Sequence, residues 1–433
     1  MKSLGIRHED KYAPERRTPL VPGDVRKLVK QYDIPVFVQR SQKRVYAHDE
    51  FEEAGAQTVD DLSFCDIVLG VKEMPIGSFH SGQACVFFSH VIKGQRQNMP
   101  MLRNIMDSGA TLIDYERILD QKGNRLIFFG RHAGIAGMIN TLWATGQRYL
   151  NLANSTPFSR IKQASSYDSL EAAKEDIREA GRALATSGPG KGVGPLIFAV
   201  TGDGNVAQGA LEILNLLPVK EIDPADLPSL DRSLLDPYTV YKVNLIPADY
   251  MVHKHGKDFA LKDYITFPDN YESRFKDFLP NVNVLVNGIY WDERYPRLVT
   301  KKWLREDNQH LNVIGDITCD PDGSIECTVK ATGIEDPVFV YDPAADSHKM
   351  GFEGPGVAVM AVDILPSELP REASEQFSNL LSPWMPHLAA ADFNVTFADL
   401  DLPAELKHAV IVHKGKLTPD YGYLKAYLKQ DIL

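Results

Sequence analysis

The sequence predicts an α/β protein with mostly parallel sheets, divided between two domains. Over the first third of the chain, short apolar runs alternate with amphipathic helical stretches, which is typical of βαβ units. Around residues 195–217 an apolar run changes to helical spacing across a glycine turn. The length of 433 residues suits two domains, each large enough for its own core.

The first third carries the clearest alternation of strands and helices. Strands are expected at Leu4–Ile6, Val36–Val38, Ile67–Val71, Cys85–Phe88, Thr111–Ile113 and Leu126–Phe129, with helices at Gly23–Gln31 and Met99–Ser108. Open parallel sheets bind their ligands where the strands end. The polar residues that follow these strands are therefore the ones to examine.

Basic side chains follow several of these strands. Arg17 follows the first strand, Lys72 ends the run DIVLGVKE, and His90 ends ACVFFSH. A lysine whose pKa is lowered by burial pairs with a histidine in acid–base chemistry, and an arginine binds carboxylates through two nitrogens. Each residue also has an ordinary explanation, as a hydrogen-bonded histidine or a solvated lysine. Their recurrence at equivalent strand ends leaves a shared catalytic site and these ordinary explanations equally open.

The segment Pro195–Leu217, PLIFAVTGDGNVAQGALEILNLL, has the pattern of half a dinucleotide site. Gly202 permits the tight turn, and Gly204 lets the main chain approach a pyrophosphate. The N–H groups of Asn205 and Val206, at the start of the helix, supply hydrogen-bond donors. The alternative is that the glycines only tighten a turn between strand and helix.

Two later positions extend this interpretation. Gly209 would let the helix pack closely on the strand, and a second strand is expected at Val219–Asp223. Asp223 lies where a carboxylate would accept hydrogen bonds from the ribose hydroxyls and repel a 2′-phosphate. The residues therefore favour NAD over NADP, although Lys220 could reverse this preference.

Two further strands, Val282–Tyr290 and Leu311–Ile317, are expected in the second domain. Asn287 lies near the end of the first, as a candidate cofactor ligand. Asp320 follows the second, where the functional interpretation places it beside the nicotinamide; a solvated Asp-Pro-Asp-Gly turn is the alternative. An HxH pair at 253–255 lacks accompanying ligands, so no metal is expected.

Composition excludes several classes of partner. The formal charge of −11 disfavours nucleic acids and acidic lipid surfaces. The four cysteines have no CxxC spacing, which indicates reduced thiols in an intracellular protein. No apolar run approaches the roughly 20 residues of a membrane span, and no targeting segment is recognisable. We therefore expect a cytoplasmic enzyme acting on small molecules.

A series of motifs resembles the lysine–2-oxoglutarate reductase domain of bifunctional aminoadipic semialdehyde synthases. They occur in the order ERRTPLVP, LGVKE, FFSHVIKGQ, LIDYERILD, AGIAGMIN, TGDGNVAQGA, NGIYWDERYPRL, DITCDPDGSIE and LPREASEQF. Fungal lysine-forming saccharopine dehydrogenase and alanine dehydrogenase are more distantly similar. The resemblance implies two Rossmann-like domains around a central cleft, the first of them discontinuous. The substrate domain would comprise residues 1–135 plus 330–433, and the dinucleotide-binding domain residues 136–329.

The resemblance also implies a reaction, the reductive condensation of L-lysine with 2-oxoglutarate to saccharopine by NADPH or NADH. Lys72 and His90 match the family's acid–base groups, and Arg17 its binder of substrate carboxylate. Glu73 and Glu116 match acids that tune the site or hold the lysine end. Asp320 matches the residue beside the nicotinamide.

This chain departs from the family in ways that leave questions open. Arg131 and His132 stand in GRHAG, where the family usually has an aromatic residue, so the amine and oxoacid are open. Arg131 is itself a candidate for binding substrate carboxylate. A related alanine dehydrogenase-like or opine-forming reaction, and a non-catalytic dinucleotide-binding regulator, remain alternatives.

Animal and plant relatives favour NADP, in contrast to the argument from Asp223. Saccharopine oxidation would need another polypeptide, and a homo-oligomer is left open.

Overall fold

The computed structural model describes residues 1–306 and 310–430. The chain divides into two compact units, one formed by Met1–Phe129 with the residues from Pro370 onward, the other by Gly130–Leu369. Each unit is built on one eight-stranded, mostly parallel sheet, which confirms the expected fold class. Within the described residues, none of the helices is long and apolar enough to cross a membrane.

The first unit has its sheet in the order β18-β17-β6-β5-β4-β1-β2-β3, with elements numbered along the whole chain. Its strands are β1 (Leu4–Ile6), β2 (Val36–Gln39), β3 (Gln57–Val59), β4 (Ile67–Leu69), β5 (Ala84–Phe87), β6 (Thr111–Asp114), β17 (Val410–His413) and β18 (Lys416–Leu417). Its helices are α1 (Pro22–Tyr32), α2 (His48–Glu53), α3 (Met99–Ser108), α9 (Pro370–Leu381), α10 (Met385–Ala390), α11 (Ala404–His408) and α12 (Lys425–Gln430). The central strands are buried apolar runs, as expected of a sheet covered on both faces.

The segment that begins at Pro370 belongs to this unit through specific contacts. Strand β17 pairs antiparallel with β6 and so covers its edge. On α9, Ser374 Oγ accepts a hydrogen bond from the Thr18 N–H at 3.0 Å. Ser378 Oγ accepts from the Val21 N–H at 3.0 Å and donates to Asp24 Oδ2 at 2.7 Å. The bonds from Thr18 and Val21 satisfy backbone donors of the segment just before α1.

The second unit has its sheet in the order β15-β14-β16-β13-β12-β7-β9-β8, and a separate hairpin of β10 and β11. Its strands are β7 (Leu196–Thr201), β8 (Val219–Glu221), β9 (Val240–Leu245), β10 (Met251–His253), β11 (Tyr271–Ser273), β12 (Val284–Asn287), β13 (Val313–Asp316), β14 (Val338–Asp342), β15 (Ser347–Met350) and β16 (Val357–Met360). Its helices are α4 (Gly130–Asn151), α5 (Leu170–Ser187), α6 (Asn205–Leu214), α7 (Pro247–Tyr250) and α8 (Leu261–Thr266).

Two expectations differ from the structure. Residues 330–369 were expected in the first domain, but β16 pairs with β13 and β14 with β16, so they extend the second sheet. Leu126–Phe129, expected as a strand, is irregular, and this prediction is wrong. Its apolar character serves side-chain packing, since the Phe129 ring stacks on Phe377 with centroids 4.3 Å apart.

Helices α4 and α6 cross with their backbones in close contact. A Cβ built on Gly209 would lie 2.1 Å from the Arg131 carbonyl oxygen, and one on Gly134 1.9 Å from the Val206 carbonyl oxygen. Each position therefore excludes any side chain. Gly209 makes room for α4, whereas the sequence had indicated packing against the preceding strand.

Candidate active site

In the first unit, Lys72 and His90 follow neighbouring parallel strands. Strands β4 and β5 pair side by side, and the two residues lie just beyond their carboxyl ends. His90 has a left-handed backbone with φ of 48°, which is uncommon for a residue other than glycine. Asn98 Nδ2 donates to the His90 carbonyl oxygen at 3.0 Å. The fold thus brings the two predicted acid–base residues to one edge of the sheet.

Glu73 connects His90 to Lys11. Its Oε1 lies 2.8 Å from His90 Nδ1 and 2.5 Å from Lys11 Nζ, and its side chain is 9% exposed. Burial opposes ionisation, but the hydrogen bonds from His90 and Lys11 lower the pKa of Glu73 to about 2. An ionised carboxylate accepts and does not donate, so Nδ1 of His90 carries the hydrogen. In the neutral ring, Nε2 is then the basic nitrogen.

The second carboxylate oxygen of Glu73 is a candidate contact for a bound ligand. Among the described residues, Glu73 Oε2 is buried and has no hydrogen-bond partner. A buried carboxylate oxygen without a donor is costly. The position therefore suits an ammonium or amine of a bound substrate. Glu73 was expected here only from the family resemblance, and no sequence pattern indicated Lys11.

Glu9 holds the main chain that carries Lys72. This buried residue accepts hydrogen bonds from the Val71 N–H (2.7 Å) and the Lys72 N–H (2.9 Å). Burial, the largest cause, raises the pKa of Glu9 to about 7. Glu9 was not among the residues predicted for the site, although an acid just beyond a wholly buried strand is a signal in the sequence.

Arg17 is buried in an ion pair with Glu15. Its Nε donates to Glu15 Oε1 at 2.8 Å and its Nη2 to Oε2 at 2.6 Å, while the guanidinium lies 4.2 Å from the Phe129 ring centroid. Burial would raise the pKa of Glu15, but the charge and hydrogen bonds of Arg17 hold it below its usual value. Glu15, a neighbour in sequence, was not identified as its partner.

Glu116 and Asp114 lie at the end of β6. The Glu116 carboxylate forms an ion pair with Arg125 Nη2 at 2.8 Å. Asp114 is fully buried and accepts from the Ser89 N–H at 3.1 Å, immediately before His90. Burial and the charge of Glu116 raise the pKa of Asp114 to about 6. Asp114 thus anchors the residue next to His90, a role that sequence analysis missed.

In the second unit, the glycine turn follows β7 directly. Gly202 has φ of 97° and donates from its N–H to the Leu245 carbonyl oxygen at 2.8 Å. Gly204 precedes α6, and a Cβ built on it would meet no atom of the described residues within 4 Å. The N–H groups of Asn205 and Val206 begin the helix. An open space before a helix N-terminus fits a pyrophosphate, so these residues are suited to a dinucleotide.

Buried polar side chains tie together the carboxyl ends of β7, β12 and β13. Thr201 Oγ1 donates to Asn287 Oδ1 at 3.0 Å, and Asn287 Nδ2 donates to Asp316 Oδ1 at 2.9 Å. Thr328 Oγ1 donates to Asp316 Oδ2 at 2.6 Å. Asn287, expected as a cofactor ligand, is fully buried within this network and supports the strand ends. Asp320 is exposed on the loop that follows β13.

Two predicted residues lie apart from these groups. Asp223 follows β8, and β9 lies between β8 and β7, so the fold does not bring Asp223 to the glycine turn. Its Oδ1 accepts from the Ala225 N–H at 2.9 Å. Arg131 Nη2 pairs with Glu212 Oε2 at 2.6 Å between α4 and α6. The other oxygen of that carboxylate lies 3.2 Å from Lys174 Nζ, so Arg131 shares Glu212 with a second cation of the same unit.

Comparison with known families matches two stretches of the chain. The model of the alanine dehydrogenase/PNT N-terminal domain matches residues 5–136, and that of the C-terminal domain matches residues 241–420. The chain belongs to the alanine dehydrogenase/PNT family. Solved members agree with the fold: an L-alanine dehydrogenase is similar with a TM-score of 0.63 at 19% identity, covering 98% of this chain and 99% of that one. A transhydrogenase from Sinorhizobium meliloti gives a TM-score of 0.57 at 16% identity, covering 96% of this chain and 100% of its own.

Curated relatives confirm the resemblance drawn from the motifs. The alpha-aminoadipic semialdehyde synthase of Arabidopsis thaliana is 38% identical over 99% of this chain and 42% of its own length. The mitochondrial enzyme of that name from Rattus norvegicus is 34% identical over 98% of this chain and 47% of its own. The saccharopine dehydrogenase [NAD(+), L-lysine-forming] of Neurospora crassa is 28% identical over 88% of this chain and 89% of its own. This alanine dehydrogenase/PNT chain thus spans less than half the length of the two synthases.

Proposed function

We propose that this chain catalyses the NAD(P)H-dependent condensation of L-lysine with 2-oxoglutarate to saccharopine, and the reverse reaction. The observation that carries the proposal is the Glu73 carboxylate, which holds His90 Nδ1 and Lys11 Nζ and keeps a buried oxygen for a ligand. The names of the curated relatives support the same reaction.

The reaction joins the ε-nitrogen of lysine to the ketone carbon of 2-oxoglutarate. Attack gives a carbinolamine, water leaves as the C=N bond forms, and a hydride and a proton reduce that bond. His90 is suited to these proton transfers, because Glu73 fixes the hydrogen on Nδ1 and leaves Nε2 for the substrate. Lys72, whose backbone Glu9 holds, is the second acid–base group.

Substrate carboxylates need a buried cation. Arg17 donates from Nε and Nη2 to Glu15, so among the described contacts Nη1 is the nitrogen left for a carboxylate. Lysine and 2-oxoglutarate together carry three carboxylates, and Lys11 and Lys72 add positive charge nearby. Glu73 Oε2 is suited to the attacking amine. Glu116, already paired with Arg125, is assigned to tuning the charge around Asp114.

The relatives are named as dehydrogenases or as synthases with a similar domain, which implies a nicotinamide dinucleotide. When bound, it supplies the hydride. The backbone at Gly202, Gly204, Asn205 and Val206 would hold its pyrophosphate, and the exposed Asp320 would lie beside the nicotinamide. The substrate domain of this proposal is the unit containing Lys72 and His90, and the dinucleotide domain is the unit containing β7.

Three further points belong to the proposal. A separate saccharopine-oxidising enzyme is a proposed partner of the reaction. Assembly into a homo-oligomer is one state to test by light scattering. A cytoplasmic location is retained from the sequence, although the rat relative is named mitochondrial.

Oxidation of NADH and NADPH, followed by absorbance, tests the reaction. Lysine plus 2-oxoglutarate should support turnover, whereas ammonia plus pyruvate should not. The product should be saccharopine by mass spectrometry. Turnover with ammonia and pyruvate would indicate an alanine dehydrogenase-like reaction. Dinucleotide binding with no turnover on either pair would indicate the non-catalytic alternative.

A further inference from the structure

The strand beside the glycine turn is β9, not the next strand along the chain. Gly202 N–H donates to the Leu245 carbonyl oxygen at 2.8 Å. With its amide nitrogen facing the turn, Asn244 donates to the carbonyl oxygens of Gly202 and Val200, both at 3.0 Å. The carboxyl end of β9 is therefore bound directly to the turn assigned to the pyrophosphate.

A carboxylate is fixed just beyond this strand end. After β9 the chain turns through α7, where Asp249 Oδ2 accepts a hydrogen bond from the Ile246 N–H at 2.7 Å. The Asp249 side chain is half-buried. In dinucleotide-binding folds, the adenosine ribose lies at the end of the strand next to the one that carries the glycine turn, where a carboxylate binds its hydroxyls. Asp249 therefore follows the strand next to the glycine turn, where the sequence argument had placed Asp223 at the ribose.

Tyr250, the residue after Asp249, is within electrostatic reach of both Asp249 and the glycine turn. Tyr250 is fully buried, and its hydroxyl has no hydrogen-bond partner among the described residues. Burial is the main reason that the pKa of Tyr250 is raised, and the charges of Asp249 and of Asp203, in the glycine turn, raise it further. Both carboxylates therefore lie within electrostatic reach of one phenol.

We propose that Asp249 contacts the 2′ position of the adenosine ribose and makes the chain prefer NAD to NADP. The inference rests on the proposed function, because it requires a nicotinamide dinucleotide on the turn. The carboxylate accepts hydrogen bonds from the ribose hydroxyls and repels a 2′-phosphate, and Asp203 adds to the repulsion. Arg274 is the opposing charge, since its guanidinium donates to the Asp249 carbonyl oxygen at 2.8 and 3.1 Å.

Asp249→Asn and Asp223→Asn form a matched pair of variants. Each carboxylate accepts one backbone N–H within its own turn, and asparagine retains that acceptor while removing the charge. Titration of the full chain with NADH and NADPH, followed by nicotinamide fluorescence, gives the ratio of dissociation constants. Circular dichroism checks folding, and Asp249→Ser is the second variant if Asp249→Asn is not folded.

The unmodified chain should bind NADH roughly tenfold tighter than NADPH. Asp249→Asn should reduce this ratio to near one, and Asp223→Asn should leave it unchanged. High salt should also reduce it in the unmodified chain, because the repulsion is screened.

Three results would overturn the inference. An unchanged ratio in Asp249→Asn, or a ratio that responds to Asp223→Asn instead, would remove Asp249 from the ribose site while leaving the proposed reaction intact. If the chain binds NADPH more tightly than NADH, and Arg274→Gln abolishes this preference, then Arg274 binds the 2′-phosphate and Asp249 does not repel it. Absence of binding of either dinucleotide would reject the proposed function itself.

Discussion

Glu73 Oε1 lies 2.8 Å from His90 Nδ1, and this contact joins residues that follow two neighbouring strands of one sheet. The same oxygen binds Lys11, so one carboxylate fixes the orientation of the histidine and balances the charge of Lys11.

Lys72 and His90 should behave as one acid–base unit. Loss of a general acid or base costs roughly 10²–10⁴-fold in turnover, about 3 to 5 kcal/mol. Lys72→Met and His90→Gln should each show such a loss at saturating substrates, and the double variant should be scarcely worse than the poorer single one. Dinucleotide binding should survive in all three. Near-normal turnover in both single variants would place the chemistry elsewhere, and multiplicative losses would make the residues independent.

Glu73→Gln should weaken the fold more at neutral pH than at acidic pH. The folded-state pKa of Glu73, about 2, lies below its usual 4.5, so its ionised form stabilises the fold above pH 4.5. This contribution is lost as the pH falls from about 4.5 towards 2. Urea unfolding at pH 7 and near pH 3 measures the difference, with Glu272→Gln, an exposed site, as control. An equal loss in the free energy of unfolding at both pH values would contradict the assigned pKa.

Gly204→Val should abolish dinucleotide binding without unfolding the chain. The backbone at Gly204 has φ of −78°, which valine adopts, and the space around its Cβ position is open. A side chain there would occupy the place assigned to the pyrophosphate. Affinity should fall by at least roughly 100-fold in a fluorescence titration, whereas the midpoint of urea unfolding should hardly move. Retained affinity would mean that the dinucleotide does not bind at this turn.

Gly209→Ala should destabilise the chain although alanine is the better helix former. The added methyl would lie 2.1 Å from the Arg131 carbonyl oxygen, which can retreat only if the helices separate. We expect a loss of about 2 kcal/mol or more in the free energy of unfolding, against a propensity gain of about 1 kcal/mol. Gly204→Ala is the matched control and should change stability by less than about 0.5 kcal/mol. Equal stability of the two variants would show that the crossing adjusts freely.

The sequence predicted the residues whose signal is local. Buried strands appear as apolar runs, so the positions of Lys72 and His90 beyond β4 and β5 followed from periodicity. The glycine turn after β7 was equally clear. The role of Glu73 came from resemblance alone, because its partners His90 and Lys11 are distant in the chain.

The sequence could not predict how strands are ordered in space. Asp223 was chosen because its strand follows the glycine turn in the chain, yet β9 takes the neighbouring place in the sheet. Asn287 was taken for a ligand, because burial within a polar network has no periodic signature. Residues 330–369 were assigned to the wrong sheet for the same reason, since pairing between distant strands is a tertiary property.

The pairing of β6 with β17 has a consequence for biosynthesis. Thr111 and His413, which contact each other across these strands, are 302 residues apart in the chain. While the ribosome makes the intervening unit, β6 remains an uncovered sheet edge, which is open to pairing with neighbouring nascent chains. The second unit is continuous and can fold as it emerges. The sheet of the first unit can be completed only after β17 has been synthesised. Chaperones that shield exposed sheet edges would therefore be needed more for the first unit than for the second.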